Sequence, residues 1–175
     1  MGRDPRREPG GGVLLLKNIF FTLLVPGTVG VYVPLLLAGE ARWPEWGAAQ
    51  AVALVPLALG TVVYLRCLWA FGAVGRGTPA PIDPPRRLVV TGLYRYVRNP
   101  MYLGVLLVIA GWVVFFQSET LLTYGAVTAL VLHLFVVLIE EPLLRRKFGD
   151  AYSEYSRTVN RWLPKLAPAP DLTSP

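Results

Sequence analysis

The stretch GAAQAVALVPLALGTVVYLRCLWAF, Gly47–Phe71, carries a single charged residue, Arg66. A helix that crosses the hydrocarbon core of a bilayer needs about 20 predominantly apolar residues. This run meets that length, and its alanines, leucines and valines give no strand-like alternation with polar residues. Three more apolar runs share its character: Val13–Ala38, Met101–Phe116 and Leu121–Ile139. The third is short, and only Gln117–Thr120 separates it from the fourth, so the two read as a tight helical hairpin. The expectation is an all-α, polytopic helical membrane protein of about four transmembrane helices, over residues 13–38, 47–71, 101–118 and 121–140. Composition points the same way. Of the 175 residues, 54% are hydrophobic and 16% charged, where a soluble domain carries about 25% charge. Mean hydropathy is +0.48. A soluble globular domain is excluded, and with one cysteine, Cys67, so is a disulfide scaffold.

The net charge of +6 is distributed by topology, so it does not imply nucleic acid. Arg3, Arg6, Arg7 and Lys17 flank the first run, and Arg76, Arg86, Arg87, Arg95 and Arg98 fill the loop between the second and third. Arg145, Arg146, Lys147, Arg157, Arg161 and Lys165 follow the fourth, and the other two loops share only Arg42. Basic residues mark the cytoplasmic side, so four spans with both termini in the cytoplasm are expected. The apolar run before Gly39-Glu40-Ala41 is too long for a cleaved leader and contains Pro26 and Pro34. Residues 1–12 and 167–175 are rich in proline and glycine or polar residues and read as disordered tails.

Chemistry gathers at the cytoplasmic ends. The loop 72–100 exceeds the ordinary loop length. Its first half, around Gly75–Pro85, reads as a rigid extended path. Its second half, LVVTGLYRYVRNPMYLG (Leu88–Gly104), interleaves aromatics, arginines and turn formers. Asn99 and Pro100 have the residue types of a helix cap and first turn, and a helix start can receive a carboxylate or phosphate. A basic, tyrosine-rich membrane anchor would have the same composition. Glu140-Glu141 ends the fourth run, where the helix dipole disfavours negative charge. An ordinary Glu141–Arg145 pair at i,i+4 accounts for one of the two; ionisable groups at the membrane otherwise mark function. His133, the only histidine, reads as a hydrogen-bonded interior residue, Arg66 as an arginine snorkelling to the interface or turned toward the polar site, and Cys67 as a packing residue. Residues 142–164 form an amphipathic helical tail, with Asp150 as a cap and Tyr152, Tyr155 and Val159 on one face, that lies on the membrane or closes over the polar loop. No phosphate-binding loop, dinucleotide fingerprint, nucleophile elbow or metal set is present in the sequence.

Three ordered blocks, TGLYRYVRNPMYLG (Thr91–Gly104), EEPLL (Glu140–Leu144) and FGDAYSEY with VNRWLP (Phe148–Tyr155, Val159–Pro164), resemble the integral-membrane methyltransferases. That family includes isoprenylcysteine carboxyl methyltransferase and phospholipid N-methyltransferases, and the likeness spans about half the chain. With two spans ahead of the motif, the chain resembles the minimal prokaryotic members, which implies a prokaryotic inner or plasma membrane. The resemblance implies S-adenosylmethionine at the cytoplasmic helix ends, with Arg98, Asn99, Pro100, Tyr102, Gly104, Glu140 and Glu141 in its pocket and Tyr94 among the aromatic residues beside it. Glu140, Glu141 and Arg98 are the residues it implies for catalysis. Asn99 departs from the histidine of the eukaryotic carboxyl methyltransferases; it can donate and accept but not carry a proton. The implied acceptor is a lipophilic small molecule or lipid reached through the membrane. A sterol-type reductase using NADPH and a non-catalytic scaffold of the same fold are the competing expectations.

Overall fold

A computed structural model of the chain describes residues 11–39, 43–75 and 88–170. They form α1 Gly11–Leu24, α2 Val33–Ala38, α3 Ala48–Ala70, α4 Pro100–Phe116, α5 Glu119–Phe135 and α6 Glu141–Thr158, with no strand among the described residues. Helices α1 and α2 are one rod joined through a wide π turn at Thr28–Tyr32, and a second π turn at Val136–Glu140 joins α5 to α6. The fold is the all-α membrane architecture the apolar runs require. Ile19–Ala38, Ala48–Ala73 and the helix from Glu119 are long and apolar enough to cross a membrane, and α4 is a shorter apolar helix. Its 17 residues span about 25 Å at 1.5 Å per residue. Phe20, Leu54, Val55, Leu130, Val131 and Leu138 all point outward, as lipid contact demands.

Where lipid surrounds every helix, burial of apolar side chains between helices gains little, so close backbone packing and interhelical hydrogen bonds hold the spans together. Helices α3 and α4 meet on glycines. A Cβ on Gly60 would stand 2.5 Å from the Gly104 carbonyl oxygen, one on Gly104 2.9 Å from the Gly60 carbonyl oxygen, and one on Gly111 2.5 Å from Leu57 Cγ. The first rod is tied on by side chains. Tyr64 donates to Thr22 Oγ1 at 2.9 Å, Trp112 Nε1 to the Gly30 carbonyl at 3.0 Å and Tyr124 to the Val29 carbonyl at 2.8 Å. Both carbonyls belong to the π turn or its first residues, where the widened ladder turns oxygens toward neighbours. At the far end Gln50 accepts from the Gly47 N–H and donates to the Phe115 carbonyl at 2.9 Å.

The α4–α5 hairpin is tighter than the four-residue link expected. Gln117 adopts a left-handed conformation (φ 49°) and Ser118 caps α5, accepting from the Leu121 N–H at 3.3 Å. The tail does not lie apart on the membrane: Tyr152, Tyr155 and Val159 are buried against Val90 and Ala169. A second helical segment does start at Asp150: the backbone breaks at Gly149 (φ 55°, ψ −126°), and α6 is two helices joined across that kink. Order also runs past Ala167, where disorder was expected. Lys165 N–H donates to the Tyr96 carbonyl and Ala169 N–H to the Arg95 carbonyl, both at 2.9 Å, and Arg95 Nε returns to the Ala169 carbonyl at 2.8 Å. Backbone pairing supplies there what side-chain hydrophobicity does not. The rigid path expected at residues 76–87 and the tails 1–10 and 171–175 fall outside the described residues.

Candidate active site

The loop, the start of α4, the end of α5 and the start of α6 converge on one cleft. A 3₁₀ turn at Gly92–Arg95, entered through Gly92 at φ 59°, folds the loop so that Tyr94 turns inward. The Tyr155 hydroxyl donates to the Tyr94 carbonyl at 2.8 Å and fixes the turn on the tail. Pro100 opens α4, as its missing N–H allows. Asn99 stands at the cap position, but its side chain does not cap the helix. Instead Asn99 Nδ2 donates to the Arg161 carbonyl at 3.1 Å, while the Arg98 N–H donates to the Asn160 carbonyl at 2.9 Å. The segment after α6 is thereby stitched along the loop.

Tyr94, Arg98, Asn99, Tyr102, Glu140 and Glu141 all line this cleft. Pro100 and Gly104 do not; Pro100 is buried at the helix start and Gly104 faces α3. The walls are otherwise apolar, with Val89, Phe135 and Leu144 among them. The enclosed volume is about 80 Å³, against several hundred for an ordinary ligand pocket, so a nucleoside-sized ligand enters only if the mouth widens. A larger cleft of about 600 Å³ lies behind Tyr94, lined by Leu59, Val62, Arg66 and Trp69. Tyr94 is the wall common to both. The smaller cleft holds both carboxylates, and with them the groups able to bind a charged ligand.

The two glutamates have different surroundings. Glu141 is saturated: Arg161 Nε reaches Oε1 at 2.6 Å and Nη2 reaches Oε2 at 3.0 Å, Arg145 Nη2 stands 3.5 Å from Oε2, and Arg98 Nη1 stands 3.2 Å from Oε1. The expected Glu141–Arg145 pair exists but is the weakest of the three, because Arg145 is 56% exposed. The Glu141 carboxylate holds the Arg161 guanidinium above its ordinary range through their hydrogen bonds. Glu140 has one partner among the described residues, the Tyr102 hydroxyl, which donates to Oε2 at 2.8 Å. Arg98 is itself incomplete: its Nε and Nη1 are buried and have no hydrogen-bond acceptor among the described residues. Its approach to Glu141 is close but misaligned. A buried guanidinium N–H without an acceptor is costly unless a ligand completes it.

Arg161, Tyr152 and Tyr155 join the site without having been singled out for it. Arg161 carried a signal, its place in the VNRWLP block, but sequence alone does not say which carboxylate it meets. His133 stands apart from the cleft and accepts at Nδ1 from Trp162 Nε1 at 3.0 Å, an interior hydrogen bond. Cys67 is buried packing, and Arg66 faces the larger cleft. No group of three or more metal-ligating side chains occurs among the described residues.

Fold and cleft together define a polytopic helical membrane protein with a charged, partly unsatisfied cleft at one end of its spans. Residues 48–151 match the phospholipid methyltransferase family, more than half of the 175-residue chain, and the chain belongs to that family. Methanethiol S-methyltransferase 1 of Bradyrhizobium diazoefficiens is 32% identical over 80 residues, 46% of this chain but 27% of that protein. The nickel-cobalt-cadmium resistance protein NccN of Alcaligenes xylosoxydans is 26% identical over 140 residues, 79% of this chain and 62% of its own length. An uncharacterized protein of Haemophilus influenzae is 35% identical over 63 residues, 36% of this chain and 100% of that protein. The relationship is a distant one to methyltransferases of the membrane and does not extend to the substrate of any one of them.

Proposed function

We propose that the chain transfers a methyl group from S-adenosylmethionine to a small lipophilic molecule or lipid at the cytoplasmic membrane face. The observation that carries this reading is the pair of incomplete groups in one cleft: Arg98, with buried N–H groups lacking acceptors, and Glu140, with a single neutral partner. Together they match a ligand that bears a carboxylate and an ammonium. Arg98 would hold the carboxylate and Glu140 the ammonium or a ribose hydroxyl, with Tyr94 and Tyr102 beside the purine or the cation. The donor supplies an electrophilic methyl group carried on a sulfonium. The chain's own part is to align the two reactants and keep the cleft dry, which is where most of the gain in a displacement lies. Glu140 Oε1, without a partner among the described residues, is placed to take the proton of an acceptor that must lose one.

The name of the Bradyrhizobium relative makes a thiol one acceptor to try. Asn99, which cannot carry charge or shuttle a proton, argues against the carboxyl-methylating branch. Apolar walls on both sides of Tyr94 favour an acceptor arriving from lipid. The cytoplasmic placement rests on charge, since the site arginines share their end of the spans with the basic loop and tail.

Calorimetric titration of the protein in nanodiscs with S-adenosylmethionine, its demethylated product and NADPH tests the reading. Saturable binding of the first two alone is expected. Binding of NADPH alone would move the chain to the reductases, and binding of none would leave a scaffold.

A further inference from the structure

We infer that Arg161 is a positioning residue for the anion subsite at Arg98, engaging both oxygens of Glu141 so that Arg98 keeps N–H groups for the carboxylate of an incoming ligand. The inference deepens the proposed donor binding and rests on it for the ligand's chemistry. A carboxylate and an arginine left to themselves close into a two-bond fork. Here the fork on Glu141 belongs to Arg161, with bonds of 2.6 and 3.0 Å. Arg98, 11% exposed, approaches the same carboxylate at 3.2 Å without alignment, and two of its nitrogens remain unsatisfied. The backbone explains why Arg161 wins. Its carbonyl is held by Asn99 Nδ2, and the carbonyl before it by the Arg98 N–H. The guanidinium of Arg161 is thus delivered to Glu141 from a fixed base, while Arg98 is turned along the cleft. Discounting solvent-screened Arg145, two guanidiniums face the one carboxylate of Glu141, which leaves Arg98 charge to share with an anion.

The test compares S-adenosylmethionine with 5′-methylthioadenosine, which keeps the nucleoside and lacks the amino-acid carboxylate. In nanodiscs, Arg161→Gln is expected to weaken binding of the first by about tenfold, the worth of a charge-assisted hydrogen bond. Binding of the second should change less than about twofold. Arg161→Lys, which keeps the charge without the fork, should fall between wild type and Arg161→Gln. Adding Glu141→Gln to Arg161→Gln should restore most of the loss, since no carboxylate then competes for Arg98. Equal weakening of both ligands, or none for either, overturns the inference. The ¹⁵Nε resonance of Arg98 gives a readout independent of any ligand. It should move in Arg161→Gln as Glu141 captures Arg98, and an unmoved resonance overturns the inference. A moved resonance in a protein whose wild type binds no S-adenosylmethionine instead refutes the donor reading.

Discussion

Glu140 and Glu141 are adjacent in sequence and opposite in circumstance. Glu141 faces three guanidiniums and Glu140 one phenol. Substituting each by glutamine should therefore do different things. Glu141→Gln leaves Arg98 and Arg161 without their counter-charge and should destabilise the protein by about 2–3 kcal/mol, below the figure for a fully buried pair because Arg161 is partly exposed. Thermal unfolding in detergent reads this directly. Glu140→Gln should leave unfolding within about 1 kcal/mol, because the Tyr102 hydroxyl can still donate to an amide oxygen, and should lower donor affinity and turnover instead. Were both variants equally destabilised, the division between a tying and a ligand-facing glutamate would fail. This division was not legible in the sequence. The pair itself was, with Tyr94, Arg98, Asn99 and Tyr102, because ordered blocks preserve residue identity. Which carboxylate is neutralised depends on where the chain returns after α6, and Arg161 lies 20 positions from Glu141.

Helices were legible where run length decides, and contacts were not. Gly104 shows the difference. In sequence it belongs to the motif that the resemblance places in a cofactor pocket; in the fold it lets α4 settle on α3 at Gly60. Gly60→Leu should force the two backbones apart and cost about 1–3 kcal/mol, as overpacking does, with donor affinity falling only as far as α4 moves. Gly104→Leu should match it in unfolding midpoint. A Gly104 variant that unfolds normally yet loses the ligand would return this residue to the pocket. The tail offers a second test. Trp162→Phe removes the donor to His133 Nδ1, and faster hydrogen exchange is expected at the amides of Lys165 and Ala169, which bond back to the loop. Unchanged protection there would show that the tail is held by its backbone pairs alone. Sequence reading placed Tyr152 and Tyr155 on one face because helical spacing fixes it; Val159 packs with them from extended backbone just past the helix. It missed Ala169 because a backbone pair leaves no mark in side-chain pattern.

At the scale of the molecule, the proposed orientation rests on charge and can be tested. The native Cys67 is buried in α3, so a Cys67→Ala background carrying Lys165→Cys or Trp43→Cys permits labelling from one side at a time. Lys165→Cys should react with an impermeant reagent only from the cytoplasm, and Trp43→Cys only from the opposite side. The reverse pattern would place the site on the outer face.

The shortness of α4 should give the protein a preference among lipids. A span of 17 residues matches bilayers of short acyl chains, and in thicker ones the surrounding lipid must compress or the helix must sink. Because Pro100 and Tyr102 begin this helix, sinking carries one wall of the ligand cleft away from Glu140 on its neighbour. The set point of the site is therefore tied to chain length and order in the host membrane. A membrane that orders and thickens as it cools would then change this site without touching a residue of it.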